Sequence, residues 1–171
     1  MKFLLTILVA LTLAAPAFAA GPVVSVSPTR ISACYTQDEA VAEQGIRIHS
    51  ELMVIGLNCQ HMTPAGQQNL YQAYRDFTSK NADIFAGYEN KLIGYYQRIG
   101  TGNPEGQLNT LRTQLANKIS LDAARTRPDV FCSHYMPRIQ KASTMSRSDI
   151  QKWAATFYPG HPVSHPVCGQ N

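Results

Sequence analysis

The chain has 171 residues, 15% of them charged, with 15 Lys and Arg against 11 Asp and Glu and a formal net charge of +4. Apart from Arg125 and Arg127 the basic residues are scattered singly, which excludes a stripe suited to a nucleic-acid backbone. Once a leader is set aside, roughly 150 residues remain, enough for one domain with a real core.

Residues 1–19 read as a signal peptide. Lys2 supplies a minimal positive start, "FLLTILVALTLAAPAF" is the apolar stretch, and "AFA" (Ala17 to Ala19) fits the small-x-small cleavage rule. The mature chain is expected to begin near Ala20. Pro16 and the small residues around it end the apolar run short of the about 20 residues a membrane span needs, and no later stretch is apolar enough to span. The mature chain holds no N-x-S/T sequon. The expected location is therefore the bacterial periplasm or the outside of the cell.

Export changes how the four cysteines read. Cys34, Cys59, Cys132 and Cys168 all lie in the mature part, and an oxidising compartment favours their pairing. None has C-x-x-C spacing, so neither a thioredoxin-type centre nor a c-type haem attachment is supported.

Residues 20–36, which include "GPVVSVSPTRIS", carry Pro, Ser and a short Val alternation, and predict an extended N-terminal arm leading to Cys34. Residues 37–158 predict a helical bundle domain. Its first helix covers about 37–57, with Thr36 as cap, Asp38 and Glu39 in the positive first turn, and Val41, Ile48, Leu52 and Ile55 as an apolar stripe. Glu43 reads as a surface charge, and Glu51 as the acid most open to partial burial.

"NCQHMTP" interrupts the pattern. Thr63 can cap a second helix with Pro64 at its first position. Leu70, Tyr74, Phe77, Ile84, Tyr88, Leu92, Tyr95 and Ile99 then recur at helical steps, which predicts one long helix to about residue 99. This aromatic stripe is expected to be a packed core face. Gly87 and Gly94 mark places for a bend or a close approach.

After the turn "GTGNPEG", a third helix is predicted over 104–125, with Leu108, Leu111, Leu115 and Ile119 inside. A fourth covers about 129–142, with Pro137 as an interior breaker that predicts a kink or early stop. A short fifth follows Ser146, whose spacing to Asp149 is a variant of the capping box, and it carries Ile150, Trp153 and Phe157. Residues 159–171 predict an irregular C-terminal tail. The fold class expected is all-α, an antiparallel helical bundle of four to five helices with an extended N-terminal arm, cross-linked by two disulfides.

Geometry selects the pairing. Cys34 and Cys59 flank the first helix, which at 1.5 Å per residue holds them about 30 Å apart, beyond the about 7 Å a disulfide allows. An up-and-down course returns Cys132 to the end where Cys59 lies, so Cys59–Cys132 is expected. Cys34–Cys168 then ties the arm to the tail.

"NCQHM" and "FCSHYM" also place a His two residues after a Cys, with a Met close behind. His61, His134, Met62 and Met136 are therefore the candidate metal ligands, for copper or for zinc through the imidazoles, with His161 or His165 as further contributors. The disulfide competes with this reading, because a bonded Cys cannot also be a thiolate ligand. No cofactor is expected as the leading case, with copper or zinc as the alternative.

Catalytic signatures are weak. G-x-S-x-G, P-loop, G-x-G-x-x-G and H-E-x-x-H are all missing from the sequence. Cys132 and His134 stand two apart, which on a helix turns them to different sides. The function expected is a non-catalytic binding, accessory or inhibitor protein whose partner is another envelope or extracellular protein. The alternative is a bundle that binds copper, zinc or a small ligand through His61 and His134 with the nearby Met residues.

Overall fold

The protein is seen here as a computed structural model that describes residues 33–169. The expected signal peptide, and the expected arm before residue 33, lie outside the described residues. Among the described residues six helices follow one another: α1 Gln37–Cys59, α2 Leu70–Lys80, α3 Ala82–Arg98, α4 Pro104–Arg125, α5 Pro128–Thr144 and α6 Arg147–Ala154. A single 3-10 turn, Gln60–Met62, follows α1. Among the described residues there is no strand, only an isolated parallel bridge between Tyr35 and Val167.

The first helix is the hub, and α2, α3, α4, α5 and α6 all pack on it. Small residues on α1 make this possible. A methyl group at Gly45 would overlap the ring of Tyr88 on α3, and one at Gly56 would come within 3.3 Å of the Tyr71 backbone on α2. Gly87 and Gly94, the candidates for such contacts in the sequence, instead face open space. The close approaches therefore belong to α1, whose glycines the apolar pattern does not single out.

The helix starts follow local chemistry. Thr36 and Glu39 form a full capping box at α1, and Ser146 and Asp149 another at α6. Asn103 caps α4 by accepting from the Gly106 N–H at 2.9 Å.

Three expectations are corrected. The second helix begins at Leu70, where the Asn69 side chain accepts from the N–H groups of Tyr71 and Gln72. Gly66 has φ 78°, a left-handed conformation that no helix starting at Pro64 could carry through. Thr63 instead donates to the Gln60 carbonyl at 3.0 Å.

The long aromatic helix is also two helices. Buried Asn81 donates its side-chain amide to the Phe77 carbonyl at 2.8 Å and leaves the helical conformation there. The break keeps the stripe in phase, since Leu70, Tyr74 and Phe77 on α2 and Ile84, Tyr88, Leu92 and Tyr95 on α3 are all buried. Periodicity therefore cannot detect it. Finally, α5 continues past Pro137 to Thr144, so the early stop does not occur. Pro137 is exposed, so the carbonyl that loses its helical partner can turn to water.

Two disulfides close the chain. Cys59–Cys132 is buried at both ends and joins the C-terminus of α1 to α5, while Cys34–Cys168 joins the segment before α1 to the tail. At the latter, Tyr35 donates to the Pro166 carbonyl and Cys168 to the Tyr35 carbonyl, both at 2.8 Å. Among the described residues no helix is long and apolar enough to cross a membrane.

Candidate functional site

A helix enclosed by five others is ordinarily apolar all round, yet α1 buries Glu43, Gln44, Arg47, Ser50 and Glu51. Burying a charged group is costly unless partners replace water. Ser50 satisfies itself by donating to the Ile46 carbonyl at 2.9 Å. The other four turn to the C-terminal segment, which lies along α1 as a strap. Gln44 donates to the His161 carbonyl and Arg47 to the Pro162 carbonyl, each at 2.8 Å. Glu43, fully buried, accepts the Ser164 N–H at 2.9 and 3.0 Å on its two oxygens, and the Ser164 hydroxyl as well. Arg47 also lies 3.3 Å from Glu43. The sequence reads Glu43 as a surface charge; it is instead the anchor of the strap.

Glu51, one helical turn beyond Arg47, pairs with Arg138 of α5 at 3.0 Å and faces Nδ1 of His161 at 3.4 Å. Beside these groups opens a cleft of about 340 Å³, lined by Gln44, Arg47, Glu51, Arg138, Trp153 and Tyr158 among others. Through Arg138, Trp153, Thr156 and Tyr158 it continues into a second recess of about 570 Å³, which adds Lys141, Met145, Asp149 and Lys152. Trp153 is half-buried at the end of α6, and Tyr158 stands 51% exposed at the rim. Arg138 lies over the ring of Tyr135 at 4.9 Å, which fixes the guanidinium at the mouth. The Nε of buried Arg47 has no hydrogen-bond partner.

Ser164 and His165 form a second polar cluster, with Ser164 Oγ 2.9 Å from His165 Nδ1. The order of groups does not suit a nucleophile. Ser164 sits between Glu43 and His165, whereas an activated serine needs the imidazole between hydroxyl and carboxylate. Glu43 is moreover held as an acceptor by the Ser164 N–H and by Arg47. Burial and the neighbouring Glu43 push the Tyr35 phenol, 3.2 Å from Ser164, far above its ordinary range. The cluster is a hydrogen-bonded clamp.

The candidate metal ligands are spread around the Cys59–Cys132 bond. His61 is exposed in the turn after α1, and Met62 beside it is half-buried against the core. On α5, His134 is exposed with its ring 4.6 Å from Tyr135, and Met136 is half-buried. Both neighbouring sulfurs are bonded to each other. His161 is turned to Glu51, and His165 lies against the rings of Tyr35 and Tyr95 at 4.8 and 5.1 Å. Among the described residues no group of three or more His, Cys, Asp and Glu is placed to hold a metal ion.

Sequence reasoning misses the cleft because its parts come from α1, α5, α6 and the strap. The available signal is the excess of polar residues, Glu43, Gln44, Arg47 and Glu51, on one side of a helix flanked by apolar positions.

No protein-family model, no curated protein and no solved structure matches the chain.

Proposed function

We propose that this chain is an exported, non-catalytic binding protein of accessory or inhibitor type, and that the cleft between α1, α5, α6 and the strap is its recognition site. In this reading residues 1–19 direct export, the antiparallel bundle matures in the periplasm or outside the cell, and the partner is another envelope or extracellular protein.

One observation carries the reading: the polar residues of the hub helix converge with Trp153, Tyr158 and Arg138 on one open cleft. Aromatic and arginine side chains are the types that dominate binding energy at protein contacts. The cleft's carboxylates are engaged as anchors, Glu51 by Arg138 and His161, and Asp149 by Ser146.

The test is a photo-crosslinking amino acid at Tyr158, compared with one at Glu105 on the exposed first turn of α4, in cells that export the protein. A discrete adduct from position 158 is expected. The purified partner should then bind at least about tenfold more weakly to Trp153→Ala, as loss of a central aromatic anchor implies. Equal adducts from both positions, or unchanged binding by the variant, would remove the cleft from the function.

A further inference from the structure

The cleft carries more cations than its own carboxylates answer. Arg47, Arg138, Lys141 and Lys152 line its two recesses against Glu51 and Asp149, and Glu43 answers Arg47 from behind the wall, which leaves four cations to three carboxylates. Asp149 accepts from the Ser146 N–H at 3.1 Å and from its hydroxyl, so it is held to the cap of α6. Glu51 meets one terminal nitrogen of Arg138 at 3.0 Å, which leaves the other for a further acceptor. Deeper in, Arg47 keeps an Nε without a partner although its side chain is only 7% exposed. That nitrogen is shut away from the cavity, so Arg47 bears on the cleft through its charge.

Part of the lining is apolar and aromatic. Ile48 and Trp153 face the inner recess, with Met145 in the outer one and Tyr158 lining both. A volume of about 340 Å³ suits a single residue or a small organic group. The outer recess of about 570 Å³ is wider and more polar in its lining, with Lys141, Thr144, Asp149 and Lys152, and it gives a chain somewhere to continue.

We propose that the cleft receives the C-terminal residue of a partner chain, with its free carboxylate on Arg138 and Arg47 and an apolar or aromatic side chain against Ile48 and Trp153. This rests on the cleft being the recognition site and names the chemistry of what enters it. Charge-assisted hydrogen bonds from arginine to carboxylate supply the orientation. Capture of a chain terminus is an established mode of peptide recognition. The upstream residues leave through the outer recess, past Lys141 and Lys152.

Trp153 is the chain's single tryptophan, so its indole reports occupancy without labelling at a chosen site. The test follows the indole N–H resonance of the full mature protein while adding acetyl-Gly-Ser-Gly-Phe with a free carboxylate, the same peptide amidated, or phenylacetate. The free-carboxylate peptide should shift the resonance saturably and bind at least about tenfold more tightly than the amide. Added salt should narrow that difference. Arg138→Gln should abolish the preference for carboxylate over amide. Because that variant also leaves Glu51 short of a partner, exposed Lys152→Gln serves as the second, with a smaller drop in affinity and an unchanged fold.

Equal binding of peptide and amide overturns the carboxylate assignment while leaving the cleft as a recognition site. Phenylacetate binding as tightly as the peptide overturns the chain-end source in favour of a free small carboxylate. No saturable shift from any probe overturns the inference altogether. If crosslinking at Tyr158 still gives a discrete partner, the broader reading survives that loss; if it does not, both fall.

Discussion

His49 shows how one half-buried titratable side chain responds to pH. It sits on α1 with Nε2 3.3 Å from the Tyr74 hydroxyl and its ring 5.0 Å from Phe85. Burial lowers its pKa below 6.5, and nearby Arg112 adds to the effect against the opposing pull of Glu89. The unfolded chain then binds the proton more readily than the native one. His49 therefore contributes stability that is fully present above pH about 6.5 and is lost as pH falls toward the lower native value. Replacing it by Gln should flatten the decline of the urea midpoint between about pH 7 and pH 5. An unchanged slope would assign the acid sensitivity elsewhere. Tyr74 behaves in the opposite sense at the alkaline end. Burial, with Tyr71 adding and Arg112 opposing, pushes its phenol up to about 12, so its contribution holds below pH 10 and fades as pH rises toward that value. Glu43 shows the limit of reading single residues. Along the chain it is one of three acids at the start of α1, and only its place beneath the strap distinguishes it from exposed Asp38.

Among the elements, the strap and α1 form one unit held by polar contacts. Glu43→Ala should leave the Arg47 charge and the Ser164 donors without their acceptor, at a cost of about 3–5 kcal/mol. Glu43→Gln keeps an acceptor and should cost less. Urea unfolding measures the loss, and amide exchange separates its origin: the Ser164 N–H should speed up more than the amides of α1. Uniform acceleration would mean that the strap does not open by itself. Element boundaries are legible where a side chain acts on its own backbone neighbourhood. Thr36 with Glu39, Ser146 with Asp149, and Pro104 at the start of α4 all mark helix starts within four residues. The start of the second helix is not legible, because two competing caps, Thr63 and Asn69, stand close together and the positive φ of Gly66 decides between them. Pro137 misleads as a stop signal because it is exposed, where the carbonyl it frees can turn to water and the helix can go on.

Over the whole molecule, the two disulfides divide the labour. Cys59–Cys132 spans 73 positions of chain and is shut inside the core, whereas Cys168 is exposed at the end of the strap. Mild reductant should therefore open Cys34–Cys168 first, loosening the strap while helical circular dichroism persists. Cys59–Cys132 should resist until the bundle opens, and replacing both of its cysteines by Ala should cost about 4 kcal/mol in the chain-entropy account. Simultaneous reduction of both would show that the strap is no weaker than the core.

Helical class, the caps of α1 and α6, the buried stripe and the cysteine pairing can be read along the chain. Each depends on local spacing, or on a helix length that rules out the alternatives. Packing in three dimensions makes α1 the hub, turns its polar residues to the chain's own tail, and gathers Arg47, Arg138, Trp153 and Tyr158 around one cleft. These side chains lie up to 111 positions apart (Tyr158 less Arg47). Spacing along a chain carries no information about which faces meet once the helices pack; that is settled by volume, in Gly45 beneath Tyr88 and Gly56 beneath Tyr71.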